Sequence, residues 1–348
     1  MTVNIGFIVL MLFVGFSGHL NPASFPRLSV VGLAFPLTVI PVAICLVLWL
    51  LVKPRYALIS IIGLLLAFVP MRNYCPINIQ KHAPDSCLKV VSFNVMMFAL
   101  ADDYETPRNS LLQYLLNTDA DIICLQEAET EPDISNMIIR EMKAGGYYHS
   151  AVSIPGGNML ILFSRHRILS TERINFESNT NLGAASRILV NSDTVLVLNN
   201  HFESNKLSDD DKQGFNHIIK RDKDNQYLEK EARSLLEKIA FANAKRAKQV
   251  NEVARYIDTT SVKNIIVCGD FNDHPNSYTN RILAKRLTDC YRESGNGVGF
   301  TYKHGSIQVR IDHILCSKTF QPYEATVNDT TRLSDHLPIS CKLFLKKK

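Results

Sequence analysis

The chain holds 348 residues, with 38 Lys and Arg against 33 Asp and Glu and a formal net charge of +5. Residues 1–80 contain four of those bases (Arg27, Lys53, Arg55, Arg72) and no acid, so the remainder carries 34 against 33. One uniform soluble domain is thereby excluded, and the near-neutral larger part predicts no general basic face for duplex nucleic acid.

In chain order, the first strong signal is Val30–Val52, 23 residues without a charge. As a helix that run is long enough to cross a hydrocarbon core of about 30 Å. Asn4–Gly18 and Tyr56–Pro70 have the same character over 15 residues each. Spans normally need at least about 17 residues, so these would borrow flanking ones. About three transmembrane helices are expected within residues 1–72. The alternative for residues 1–18 is a secretory signal peptide; no Lys or Arg precedes the apolar run, and another run follows quickly, which argues against it.

Three spans place the N-terminus and the soluble part on opposite sides of a bilayer. The Lys53-Pro-Arg55 turn is the best cytoplasmic loop by its charge, so a multi-pass protein with its soluble domain on the periplasmic side is expected. Arg72 and Lys81 pull the other way. Residues 73–87 read as a linker. Cys75 and Cys87 flank it and are equally readable as a disulfide or as two loop thiols.

Residues 88–348 have the pattern of a mixed domain. Strand-length apolar runs recur at Leu88–Val95, Ile122–Gln126, Met159–Ser164, Thr194–Asn200, Asn264–Cys268, Arg310–Cys316 and Ile339–Leu345. Helical patterns lie at Asn109–Asn117, Ile134–Ala144, Tyr227–Ile257 and Asn280–Asp289. The mixture predicts an α/β domain with helix-covered sheets. Asn205–Asp224 is charged and turn-rich, and its run Asp209, Asp210, Asp211, Lys212 predicts a solvated loop.

Polar residues at the ends of apolar runs are where an α/β scaffold carries its site. Here they are Asn94 in Ser92-Phe-Asn94, Glu127 in Leu125-Gln-Glu127, His201 in Asn199-Asn-His201, Asp270 and Asn272 in Gly269-Asp-Phe-Asn272, Asp312 in Ile311-Asp-His313, and Asp335 with His336 in Ser334-Asp-His-Leu-Pro338. Taken singly, Glu127 is as readily a strand-end surface carboxylate as a ligand, and His201 is more often a satisfied loop histidine. As an ordered set, the motifs resemble the endonuclease/exonuclease/phosphatase superfamily over about Leu88–Leu345.

The resemblance implies a four-layer α/β/β/α sandwich, deoxyribonuclease I-like, behind the N-terminal transmembrane helices. It implies Glu127 as the principal metal carboxylate, Asn94 as its support and Asp335 in the metal region. Hard oxygen ligands suit Mg²⁺ or Mn²⁺. By the same resemblance Asp270 orients or deprotonates the attacking water and Asn272 hydrogen-bonds the phosphate. His336 faces the scissile phosphate with Asp312 as its partner, and His201 stabilises a phosphate oxygen or assists the leaving group. Glu203 and His313 read as structural. Asn158 and Arg165 fall in a family loop region near the substrate, although Gly156-Gly-Asn158 is equally well explained as a turn.

No Walker-type loop, Cys-x-x-Cys pair or Ser-based nucleophile elbow is present, so competing enzyme classes lack support. The expected activity is metal-dependent phosphoester hydrolysis, on nucleic acid or on a phospholipid head group. A lipid-directed, sphingomyelinase-like phosphodiesterase is the alternative to a nuclease, favoured by the anchor and the neutral charge. The rival from another class is a catalytically silent binding module of the same fold, which loss of Glu127, Asp270, Asn272 or His336 would signal; all four are present. No protein partner is predicted.

Overall fold

The structure, a computed structural model, describes residues 1–101 and 110–346. Two six-stranded sheets form the centre of the larger part. The first is built from β1 (Leu88–Asn94), β2 (Ile122–Gln126), β3 (Tyr148–Ser153), β4 (Met159–Ser164), β13 (Phe320–Val327) and β14 (Ile339–Leu345), in the order β13-β14-β1-β2-β4-β3. The second contains β5 (Arg167–Ile174), β6 (Leu182–Val190), β7 (Asp193–His201), β8 (Asn264–Asp270), β9 (Thr288–Asp289) and β12 (Asp312–Cys316), in the order β5-β6-β7-β8-β12-β9. A small ribbon pairs β10 (Tyr302–His304) with β11 (Ile307–Val309).

Because strand side chains alternate between faces, each central strand feeds two cores. Val90, Ile122 and Cys124 of the first sheet meet Val195, Val197, Ile266, Cys268 and Ile314 of the second in a core between the sheets. The opposite face of the first sheet, with Val91, Phe93, Ile123 and Leu125, packs against Leu111, Leu112, Leu115, Ile138 and Met142 of two helices, Ser110–Asn117 and Pro132–Ala144. The outer face of the second sheet packs against Val250, Val253 and Ile257 of the long helix Asn225–Thr259 and Leu283 of Tyr278–Ala284.

All seven expected strands are present, but other expectations need correction. The strand expected from Arg310 starts at Asp312. The helix expected over Asn280–Asp289 ends at Ala284, where the chain turns into β9. Asn109 lies outside the described residues. The expected solvated loop at Asp209–Lys212 is the first turn of a helix, Asp209–Lys220. Ser208 and Asp211 form a reciprocal capping box there, which satisfies two otherwise orphaned N–H groups. Asp211 is buried and paired with Lys238 at 2.6 Å.

At the N-terminus, α1 (Thr2–Gly15), α2 (Pro26–Ser29), α3 (Phe35–Val52), α4 (Ala57–Leu66) and α5 (Phe68–Tyr74) make a helical bundle. Pro26–Val52, broken only by a short 3₁₀ turn, is long and apolar enough to cross a membrane, and only 11% of its apolar window is buried. Residues Pro54–Leu66 and Phe68–Tyr74 are bent by 58° and pass the same test only as a pair; Thr2–Gly15 is shorter. Inside the bundle Ile8, Met11, Val14, Phe35, Val42 and Ala67 pack together, while Leu37, Ile40, Val47 and Leu51 face outward and are exposed. Asn4 donates to Ser60 at 2.9 Å in the buried interior, which satisfies both polar groups away from water.

The bundle docks on the larger part. Asn276 donates to the Pro70 carbonyl at 3.1 Å, Asn243 donates to Ser29 at 2.8 Å, and the buried Arg310 guanidinium reaches the Asn73 carbonyl. Residues 73–87, expected as a linker, are pinned across the surface. Asn78 donates through its side chain to the Gly295 carbonyl at 2.6 Å, and Ala83 N–H reaches Glu324 at 3.0 Å. All eight cysteines are free thiols, so Cys75 and Cys87 are not bridged.

Candidate active site

On five central strands the stripe facing the other sheet is apolar except toward one rim, where it turns polar, at the end of four strands and at the start of the antiparallel β12. Val90 gives way to Ser92 and Asn94, Ile122 and Cys124 to Gln126, Val195 and Val197 to Asn199 and His201, Ile266 and Cys268 to Asp270, and Cys316 and Ile314 to Asp312. The strand register aligns these ends: Asn94 sits opposite Gln126, His201 opposite Asp270, and Asp270 opposite Asp312. Polar groups from both sheets therefore meet at one rim of the sandwich.

Asp270 is the hub. Its Oδ2 accepts from Asn94 Nδ2 at 3.1 Å and lies 3.6 Å from Nε2 of both His201 and His336; its Oδ1 accepts from the Asn272 N–H at 2.8 Å. Burial lifts its pKa to about 6, with the Asp312 charge adding to the rise and His336, His201 and the Asn272 N–H opposing it. His336 shows the complementary behaviour. Burial works against its charge, but Asp312, whose Oδ2 is 2.9 Å from Nδ1, and Asp270 overcome that and raise it to about 10. An imidazolium held between two carboxylates results. The Tyr302 ring meets His336 edge-on at 5.1 Å.

Glu127 follows β2 with a positive φ of 49° and keeps its side chain 29% exposed. Asn94 Nδ2 donates to its Oε1 at 3.1 Å, and His201 Nε2 lies 3.6 Å away. The Asn94 Oδ1 accepts from the Met96 N–H at 3.1 Å. Asn94 thus braces two carboxylates through its nitrogen, with its oxygen turned toward the backbone. Burial is the main force lowering the pKa of His201. Asn158 Nδ2 sits 2.7 Å from His201 Nδ1, which makes Nδ1 the acceptor and puts the proton on Nε2, a buried atom with no partner of its own.

Asn272 donates to the Phe202 carbonyl at 3.0 Å, so one of its amide hydrogens is already engaged. Asp335 is half-buried and makes no side-chain bond to Glu127 or Asn94 among the described residues. Its neighbour Ser334 ties the segment to the Asn94 carbonyl at 2.9 Å. His313 is pushed down to about 4 by burial and bonds Asn280, and Glu203 is held by Ser178 and Lys245; both are framework. Arg165 lies at the far end of β4, paired with Asp119 at 2.5 Å and stacked on Tyr147, so it is removed from the rim that an expectation near substrate required.

One contributor escaped the sequence reading: Gln126 is buried and donates to Asn199 across the sheets at 2.7 Å. Asn158, which the resemblance puts near the substrate and which is equally readable as a turn residue, sets the His201 tautomer. The period-2 stripe carried the signal for Gln126, since it shares parity with Ile122 and Cys124.

Asp270, Asp312 and His336 offer ligand atoms all within 4.8 Å of one another. With His336 charged and bonded to Asp312, that trio serves better as a charge cluster than as a cage. The wider set of oxygens does fit a hard divalent cation: the solvent-reaching Glu127 carboxylate and the Asp270 carboxylate are joined by one Asn94 amide and concentrate negative charge at the rim, while His201, protonated at Nε2, offers the cation no lone pair.

The profile of the Endonuclease/Exonuclease/phosphatase family matches residues 91–336, and that of a domain of unknown function matches residues 1–74. No curated protein matches the sequence. Among solved structures, the human Nocturnin catalytic domain with bound sulfate is similar at a TM-score of 0.54 and 16% identity, over 78% of this chain and 97% of that one. A Neisseria 3′ phosphatase, NExo, bound to a product DNA hairpin gives 0.52 and 16%, over 73% and 98%. TDP2 from D. rerio, complexed with single-strand DNA product, gives 0.51 and 18%, over 75% and 100%. At such identities the likeness is one of fold.

Proposed function

Since the chain belongs to the endonuclease/exonuclease/phosphatase family, whose matched segment contains every site residue from Asn94 to His336, we propose that it is a membrane-anchored, Mg²⁺- or Mn²⁺-dependent hydrolase of phosphoester bonds. The observation that carries this reading is the convergence of Glu127, Asp270, His201 and His336 from both sheets on one rim, with His336 positively charged. Glu127 would be the principal metal carboxylate, with Asn94 bracing it and Asp335 adding negative charge nearby. A bound dication would supply Lewis-acid stabilisation of the phosphate oxygens.

The chain's own residues account for the rest. Asp270, with its pKa lifted toward neutrality, accepts a proton from water better than an ordinary carboxylate. His336, kept cationic by Asp312, stabilises charge that grows on the phosphate. The Nε2–H of His201, fixed by Asn158, is a donor aimed at the same place. Asn272 keeps one amide hydrogen for a phosphate oxygen.

A lipid-directed phosphodiesterase is the reading of substrate that the anchor favours, with a nuclease as the other. The test is hydrolysis by the detergent-solubilised full chain, with Mg²⁺, Mn²⁺ or EDTA, of plasmid DNA, RNA, sphingomyelin and bis-p-nitrophenyl phosphate. Turnover lost in EDTA and in Glu127→Ala supports the hydrolase. A folded, metal-binding chain that turns over none of them, including the activated diester, would instead favour the silent module.

A further inference from the structure

At the seam between the bundle and the catalytic domain lies a cavity of about 230 Å³. Its walls differ in chemistry. Gly15, Phe16, Val69 and Pro70 make an apolar wall from the bundle, while Arg281, Lys285 and Arg292 make a cationic wall from the domain. Gly15 ends α1 and Pro70 lies in the helix that returns to the domain. Both therefore mark the domain-proximal level of the bundle, where a bilayer's hydrocarbon would give way to its head groups.

Two of the three bases at this seam are unmatched among the described residues. Arg292 is paired with Glu293 at 2.9 Å. The one acid lining the cavity, Asp289, accepts from the Arg292 N–H at 3.0 Å as a helix cap. Arg281 and Lys285 form no ion pair and no side-chain hydrogen bond among the described residues. They stand four apart at the end of one helix, an arrangement in which like charges repel and a shared anion relieves the repulsion. None of Glu127, His201, Asp270 or His336 lines the cavity.

We propose that this seam binds an anionic phospholipid, its phosphate between Arg281 and Lys285 and its acyl chains along the exposed apolar face of the bundle. The volume suits a head group, and the chains need no enclosed space. The proposal rests on the membrane-anchored reading and concerns a structural lipid, apart from the catalytic rim.

The experiment is native mass spectrometry of the full chain from neutral detergent, with phosphatidylglycerol or phosphatidylcholine of the same chain length. Phosphatidylglycerol should be retained roughly tenfold better, as expected for two bases near an anionic head group. Arg281→Ala with Lys285→Ala should abolish the preference and leave hydrolysis of a soluble diester unchanged, whereas Arg281→Lys with Lys285→Arg should keep it. Lys285→Ala alone, at an exposed position, gives a partial loss even where the double variant folds poorly. Undiminished preference in the alanine variants overturns the proposal. So does displacement of the lipid by millimolar inorganic phosphate, which would reveal a soluble-phosphate site. Release of the chain from membranes by alkaline carbonate would refute the anchoring reading separately, whatever the lipid spectra show.

Discussion

Asp270 and His336 divide one problem between them: a buried rim must hold negative charge before substrate arrives and positive charge once phosphate enters. Asp270→Asn removes the acceptor while preserving shape, and kcat should fall by roughly 10²–10⁴-fold, the usual worth of a positioned acid or base. Asn94→Ala leaves two carboxylates without their brace, and the metal concentration for half-maximal activity should rise about 10–100-fold, as for other outer partners of metal ligands. The pH behaviour follows from the same pair. Activity requires Asp270 ionised and His336 protonated, so kcat/KM should climb through about pH 6 and fall through about pH 10. A bound dication moves the acid limb lower. For stability, the folded pKa of His336 lies above its unfolded value, so its contribution is complete below about pH 6.5 and lost as pH rises through 10. The melting temperature of the wild type should drop more steeply between pH 7 and 10 than that of His336→Asn.

At the scale of the element, β8 shows how little freedom the site leaves. Gly269 sits beside Asp270 with φ of 138°, and a Cβ there would lie 1.9 Å from the Asn200 carbonyl oxygen of the paired β7. Gly269→Ala should therefore cost on the order of 3 kcal/mol or more, seen as a lower denaturation midpoint together with lost activity. The strands legible in sequence include those buried on both faces, such as β2 and β8, and β14, whose apolar residues alternate cleanly. The strands that were missed are mostly edges: β3, β5 and β13, half-exposed and written in mixed residues such as Tyr148-His-Ser150 and Arg167-Ile-Leu169. An edge strand has one neighbour and often a wet face, so its apolar period is diluted. β6 was hidden for another reason: its Gly183-Ala-Ala-Ser186 is too small to register as an apolar run. The capping box at Ser208 was overlooked because three successive acids look like solvent until the cap they form is considered.

In the whole molecule, the catalytic domain and the bundle share backbone-level contacts, and glycine permits the closest. A Cβ on Gly18 would fall 2.2 Å from the Asn276 carbonyl oxygen, and one on Gly32 would fall 2.5 Å from the His274 ring. Gly18→Val should cost about 1–3 kcal/mol by overpacking and loosen the seam, read as faster proteolysis within residues 76–87. The motif residues were readable because each stands near the end of an apolar run. The seam was not, because Asn276, Arg310 and Asn73 are distant in sequence and individually unremarkable.

The seam also sets where the rim can work. Asn276, which touches the bundle through Pro70 and Asn73, lies only six positions after Asp270. Chain of that length spans at most about 20 Å. With the bundle in a bilayer, the proposed chemistry would take place within a thin shell above the lipid surface. What the enzyme meets is then counted per unit area of membrane rather than per litre, and diluting a lipid substrate with inert lipid should slow turnover at constant bulk concentration.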